Sequence, residues 1–180
     1  MNKYISILRG INVSGQKKIK MSDLKSLYEL LDFQNVVTYI QSGNVIFDAS
    51  VENTDELKIT IEKAIEEKYK FHVPVEIRTN HEIENIINNC PFGSVNLAED
   101  GSKVLVTFLS SEPQEEMALD IQKYVVVPEK LVVRGKEVYL YCPNGYGKSK
   151  LSNTFLEKKL NVVATTRNWK SVYKLHELSM

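Results

Sequence analysis

The stretch Cys142-Pro143-Asn144-Gly145-Tyr146-Gly147-Lys148-Ser149-Lys150-Leu151 places two glycines, two ammonium groups and a hydroxyl between an apolar, strand-like run and a helical pattern. At a helix start, unpaired N–H groups and the positive end of the dipole favour an anion. Gly145, Gly147, Lys148, Ser149 and Lys150 therefore read as an anion seat. The stretch approaches the phosphate-loop pattern G-x-x-x-x-G-K-[ST], but Cys142 stands where its first glycine belongs. Val45-Ile46-Phe47-Asp48 resembles a magnesium-binding partner strand but precedes the loop, and interleaved hairpins do not make a parallel sheet, which argues against a nucleotide triphosphatase. The plain alternative is a glycine turn with solvated lysines.

A second concentration of donors is Thr165-Thr166-Arg167-Asn168-Trp169, which holds the chain's single tryptophan. Thr165 or Thr166 fits an N-cap, while Arg167 and Trp169 are residue types that carry binding energy when they line a contact surface. Packing of Trp169 in the core is the competing reading.

Other motifs lead nowhere. Ser22-Asp23-Leu24-Lys25 and Ser171-Val172-Tyr173-Lys174 both match Ser-x-x-Lys, yet neither has the Lys-Thr-Gly its chemistry requires. His72, His81 and His176 are scattered, so no metal site is expected. Cys90 and Cys142 lack paired spacing and read as free, buried thiols. The chain offers no acid, base and nucleophile set and no cofactor motif, so catalysis stays open.

Charge is neutral overall and uneven along the chain. Residues 1–20 hold Lys3, Arg9, Lys17, Lys18 and Lys20 with no acid, and residues 130–180 hold ten basic against three acidic side chains. Residues 21–129 carry eight basic and twenty acidic ones. If the basic ends converge, a neutral protein still attracts anions locally. No apolar run reaches membrane-spanning length and charge interrupts the N-terminus early, so a cytoplasmic protein without membrane contact is expected.

The elements that must position these residues follow from periodicity. A strand over residues 3–8 leads into the loop Arg9 to Lys18, and Leu24, Leu27, Tyr28, Leu30 and Leu31 recur at helical spacing behind the caps Ser22 or Asp23. Val36 to Gln41, the turn Ser42-Gly43-Asn44, and Val45 to Phe47 form a hairpin. Thr54 to Tyr69 is an amphipathic helix and Val73 to Arg78 a strand. This is the ferredoxin-like order of strand, helix, strand, strand, helix, strand. It sets Arg9, Gly10 and Asn12 beside Ser42, Gly43 and Asn44.

After a helix near Glu82 to Asn89, the order restarts. Lys103 to Leu109 is a strand, Gln114 to Tyr124 a helix, Leu131 to Arg134 with Glu137 to Cys142 a hairpin, and Ser149 to Leu160 a helix. Thr165 to Trp169 then opens a final helix, with no clear sixth element. The expected organisation is an α+β protein: a first ferredoxin-like half over 1–79, a linking helix and loop over 80–102, and a second half with a C-terminal helix over 103–180. Both halves use mainly antiparallel sheets.

Arg9-Gly10-Ile11-Asn12-Val13, Tyr39-Ile40-Gln41-Ser42-Gly43-Asn44-Val45, Gly145-Tyr146-Gly147-Lys148-Ser149-Lys150-Leu151 and Thr165-Thr166-Arg167-Asn168-Trp169 together resemble the bacterial DUF1697 family. The resemblance spans nearly the whole chain and brings no activity, since that family is functionally uncharacterised. Ser14 stands where its first loop would have glycine.

The reading that unites these features is a module binding a nucleotide, a phosphorylated metabolite or nucleic acid in a cleft built from the basic termini. Arg9 and Arg167 would grip a phosphate or carboxylate in bidentate fashion, and Lys148 and Lys150 would add point charge. Asn12, Ser42, Asn44, Ser149, Thr166 and Asn168 would orient the ligand, and Trp169 would stack on a base or sugar. The alternatives are an enzyme acting on such a ligand and a protein whose acidic middle and basic ends associate between copies. An RNA-recognition module lacks its aromatic-glycine signature, although Tyr4 and Phe47 would supply stacking rings.

Overall fold

The computed structural model describes all residues 1–180, in two compact units. The first comprises Met1–Glu84 with Leu175–Met180, the second Asn85–Lys174.

The first unit holds β1 (Asn2–Leu8), α1 (Met21–Leu30), β2 (Gln34–Tyr39), β3 (Asn44–Ala49), α2 (Thr54–Tyr69) and β4 (Val75–Thr79), followed by α3 (Asn80–Asn88), which runs past the unit boundary. Its sheet is antiparallel in the order β2-β3-β1-β4, the ferredoxin-like arrangement. Apolar alternation dictates the core: Tyr4, Leu8, Val45 and Phe47 from the sheet meet Leu24, Leu27 and Tyr28 of α1 and Leu57, Ile61 and Ile65 of α2. Tyr28 and Phe33 pack on Phe47 with ring centroids 5.3 and 4.6 Å away. The Tyr28 hydroxyl shares a 2.8 Å hydrogen bond with Ser6, and burial pushes its phenol well up.

Helix ends follow local chemistry. Asn53 caps α2 by accepting from the Asp55 and Glu56 amides, and Lys70 closes it at φ 63°. A reciprocal capping box starts α3: the Glu82 amide donates to Thr79 Oγ1 at 3.2 Å, and the Thr79 amide donates to Glu82 Oε2 at 2.7 Å. At α1 the expected caps, Ser22 and Asp23, fall inside the helix. The N-cap is Lys20, with no side-chain cap bond.

The second unit repeats this topology with β5 (Val104–Leu109), α4 (Glu115–Asp120, continued by a 3-10 turn over Ile121–Tyr124), β6 (Lys130–Arg134), β7 (Glu137–Tyr141), α5 (Asn153–Leu160) and β8 (Ala164–Asn168). The sheet order is β6-β7-β5-β8, again antiparallel. The final helix α6 (Trp169–Ser179) ends in residues assigned to the first unit.

Two expectations change here. Residues 164–168 form the sixth element as a strand, so neither Thr165 nor Thr166 is an N-cap; Asn168 is, accepting the Ser171 amide at 2.9 Å. The helix expected from Ser149 starts instead at Asn153 with Ser152 as its cap, and residues 146–148 make a single 3-10 turn.

Candidate functional site

Two polar turns of the first unit meet as the topology requires. The Leu8 amide donates to Gly43 O at 2.8 Å, and Asn12 Nδ2 donates to Gln41 O at 2.8 Å. Asn12 also clasps Ile19, accepting its amide at 2.9 Å and donating to its carbonyl at 2.9 Å. Asn44 is fully buried, and its amide donates to Tyr39 O and Ser42 Oγ at 2.9 and 3.2 Å. Arg9 is half-buried at the end of β1, its amide bound to Pro74 O at 2.9 Å. Ser14 adopts φ 51°, the left-handed region that favours glycine at that loop position.

The clasp has a consequence for charge. By tying Asn12 to Ile19 it closes the loop, and Lys18 and Lys20, on either side of buried Ile19, stay exposed. Both border a groove of about 550 Å³ that is also lined by Asn12, Asp23, Gln41 and Tyr69. Lys20 begins α1 without a side-chain cap, so the first-turn N–H groups of that helix lack a capping partner beside the groove. The Tyr69 hydroxyl is buried with no hydrogen-bond partner. Burial, and then the charge of Asp23, push its phenol up, which keeps it a proton donor at neutral pH.

In the second unit the predicted residues separate. Strand alternation turns Thr166 and Asn168 to one face of the sheet and Thr165 and Arg167 to the other. Thr166 Oγ1 is 2.7 Å from Thr107 Oγ1 and donates to Asn153 Oδ1 at 2.9 Å. Arg167 is 8% exposed, its Nη1 donates to Thr166 O at 3.0 Å, and burial lowers its pKa to about 10. Trp169 is buried. Lys148 and Lys150 are exposed on the loop before α5, where Ser149 Oγ accepts the Leu151 amide at 3.0 Å. With α5 starting at Asn153, this loop is not a helix N-terminus, and the phosphate-loop geometry is absent.

Lys18, Lys20 and Tyr69 escaped the motif reading, because the lysines carry no pattern and Tyr69 sits distant in sequence. The run of basic residues 1–20 without an acid was the available signal. No group of three or more His, Cys, Asp or Glu could hold a metal, and no helix is long and apolar enough to cross a membrane.

Comparison with known proteins agrees with this architecture. The conserved bacterial protein SP0830 from Streptococcus pneumoniae is similar over 99% of both chains, with a TM-score of 0.74 and 23% identity, a likeness of fold. No curated protein matches the chain. The model of the family described as "Protein of unknown function (DUF1697)" matches residues 1–139, a span that contains the Met1–Glu84 part of the first unit and its lysine-bordered groove. With that match, the chain belongs to the DUF1697 family.

Proposed function

We propose that the protein is a binding module for a phosphate-bearing or other anionic ligand, held in the groove of the first unit. One observation carries the reading: α1 begins uncapped beside a groove bordered by two unpaired ammonium groups and an unbonded buried hydroxyl. Lys18 and Lys20 supply point charge, the first-turn amides donate to an oxyanion, and Tyr69 donates to a ligand oxygen. Asn12 shapes the wall. Asp23 disfavours a second negative group at its side of the groove, which selects for a ligand with charge at one end.

The test is a thermal-shift screen of the full chain against pyrophosphate, nucleotides, phosphorylated sugars and short DNA and RNA. A ligand at a hundred times its dissociation constant adds about 2.7 kcal/mol, a clear rise in midpoint. The rise is lost in Lys18→Ala with Lys20→Ala and reduced in Tyr69→Phe. Affinity that falls steeply with salt distinguishes nucleic acid from a small ligand. The reading fails if no class raises the midpoint, or if the double variant responds like the wild type.

A further inference from the structure

The second unit copies the first unit's topology but not its packing beside the second strand. In the first unit ten-residue α1 covers β2, and Phe33 and Val36 are buried there. In the second, α4 stops after six residues, and a groove of about 520 Å³ opens between it and β6. Leu119 on its wall is 67% exposed.

β6 is an edge strand whose register with β7 runs unbroken to the two-residue turn Gly135-Lys136. In such a hairpin Arg134 and Glu137 exchange the closing hydrogen bonds, and alternation turns the backbone groups of Leu131 and Val133 away from β7. The Leu131 carbonyl has that direction, since it accepts Gln122 Nε2 at 3.0 Å.

The other sheet edges are guarded. On β4 the Val75 amide donates to Glu62 at 2.8 Å. On β8 the Ala164 amide donates to Glu157 at 2.9 Å and its carbonyl accepts from Asn153 at 2.8 Å. A register shift between Gln34 and Val37 interrupts β2. Such devices stop an edge from pairing with a foreign chain. β6 keeps the Leu131 amide and both backbone groups of Val133 open.

We propose that β6 is a docking edge for an extended, lysine- or arginine-bearing peptide, which adds as a fifth strand to this sheet with its apolar side chains in the groove. Charge selects the occupant. Glu112 and Glu115 border the groove, no basic side chain lines it, and neither carboxylate has an ion-pair partner. The cations of β6 itself are engaged: Lys130 lies 5.8 Å from the Tyr141 ring centroid, and Arg134 donates to Asn89 O at 2.6 Å. Antiparallel pairing of two β6 strands would set Lys130 against Arg134, which disfavours a second copy of this chain.

The test follows amide hydrogen exchange of the labelled full chain with an alternating valine–lysine peptide and its valine–glutamate counterpart. The lysine peptide is expected to slow exchange at Leu131 and Val133 about tenfold, and the glutamate peptide to leave it unchanged. Val133→Pro removes an outward amide without breaking the β6–β7 ladder and abolishes the protection at Leu131. Glu112→Lys with Glu115→Lys, which leaves the backbone untouched, weakens binding about tenfold. No slowing with the lysine peptide, equal slowing with both peptides, or equal slowing in the charge-reversed variant would overturn the proposal. So would protection that grows with protein concentration in the absence of peptide, the mark of a second copy.

Discussion

Arg78 on β4 and Arg167 on β8 occupy the same position of a duplicated fold. Arg78 lies opposite Ile5 and Arg167 opposite Val106 on the first strands of their sheets. Each is buried, and each Nη1 donates to the preceding carbonyl, at 2.9 and 3.0 Å. One residue further on, Thr79 and Asn168 both cap the helix that follows. The correspondence extends to the first strands, where the Leu8 and Leu109 amides reach Gly43 O and Lys136 O, both at 2.8 Å.

A matched pair of buried guanidinium groups predicts matched behaviour. Arg78→Ala and Arg167→Ala should each lower unfolding free energy by about 3 kcal/mol, since each removes a buried charge from groups arranged around it. Urea denaturation checks this. Loss of less than about 0.5 kcal/mol, the scale of an ordinary surface substitution, would deny both a structural role.

Asn12 clasps both backbone groups of Ile19 and one of Gln41. Asn12→Ala should cost about 2 kcal/mol, because it strands those partners. The Ile19 amide should also exchange faster, which hydrogen exchange resolves by residue.

Gly43 and Gly10 separate backbone strain from steric clash. Both have positive φ, 84° and 71°, but a Cβ on Gly43 would lie 2.6 Å from Ile11 Cδ1 and 3.0 Å from Leu8 Cβ, whereas one on Gly10 meets nothing within 4 Å. Gly10→Ala should cost about 1 kcal/mol from conformation alone and Gly43→Ala about 3 kcal/mol. Equal costs from denaturation curves would remove the packing argument.

Glu76 gives a pH dependence. Burial raises its pKa above the ordinary 4.5, against the opposing charge of Lys58, whose Nζ is 3.1 Å from Oε1. A carboxyl whose pKa is raised on folding binds its proton more tightly in the native state, so its stabilisation is full below 4.5 and is lost as pH rises through the raised value. The stability of the wild type relative to Glu76→Gln should therefore fall as pH increases from 4 towards neutrality. A rise over the same interval would mean that the Lys58 bridge outweighs burial.

Much of the architecture was legible in the sequence. Thr54–Tyr69 is a helix to the residue, because its apolar spacing runs between Asn53 and a left-handed Lys70. The hairpin around Gly135-Lys136 follows from alternation and turn chemistry. β8 was not legible: Thr165, Thr166, Arg167 and Asn168 are polar on both faces, and only tertiary burial makes them a strand. The start of α5 was misplaced because Ser149 and Ser152 are equally good caps by type, and the 3-10 turn at Tyr146–Lys148 decides between them. The duplication was visible as an order of elements but not as a repeated motif, since matched residues such as Arg78 and Arg167 stand among equivalent positions that differ, such as Ser6 and Thr107 or Gly43 and Lys136. Of the expected ligand residues, Asn12 lines the first-unit groove; Tyr69 joins it from the end of α2, 57 residues later in the chain.

The most direct test of the anion-binding account is an amide chemical-shift titration of the labelled chain with pyrophosphate and with a nucleoside monophosphate. The account predicts saturable shifts confined to residues 12–23, Gln41 and Tyr69, absent in Lys18→Ala with Lys20→Ala. Saturable shifts centred on Gly145–Lys150 instead, or none in any part of the chain, would contradict it.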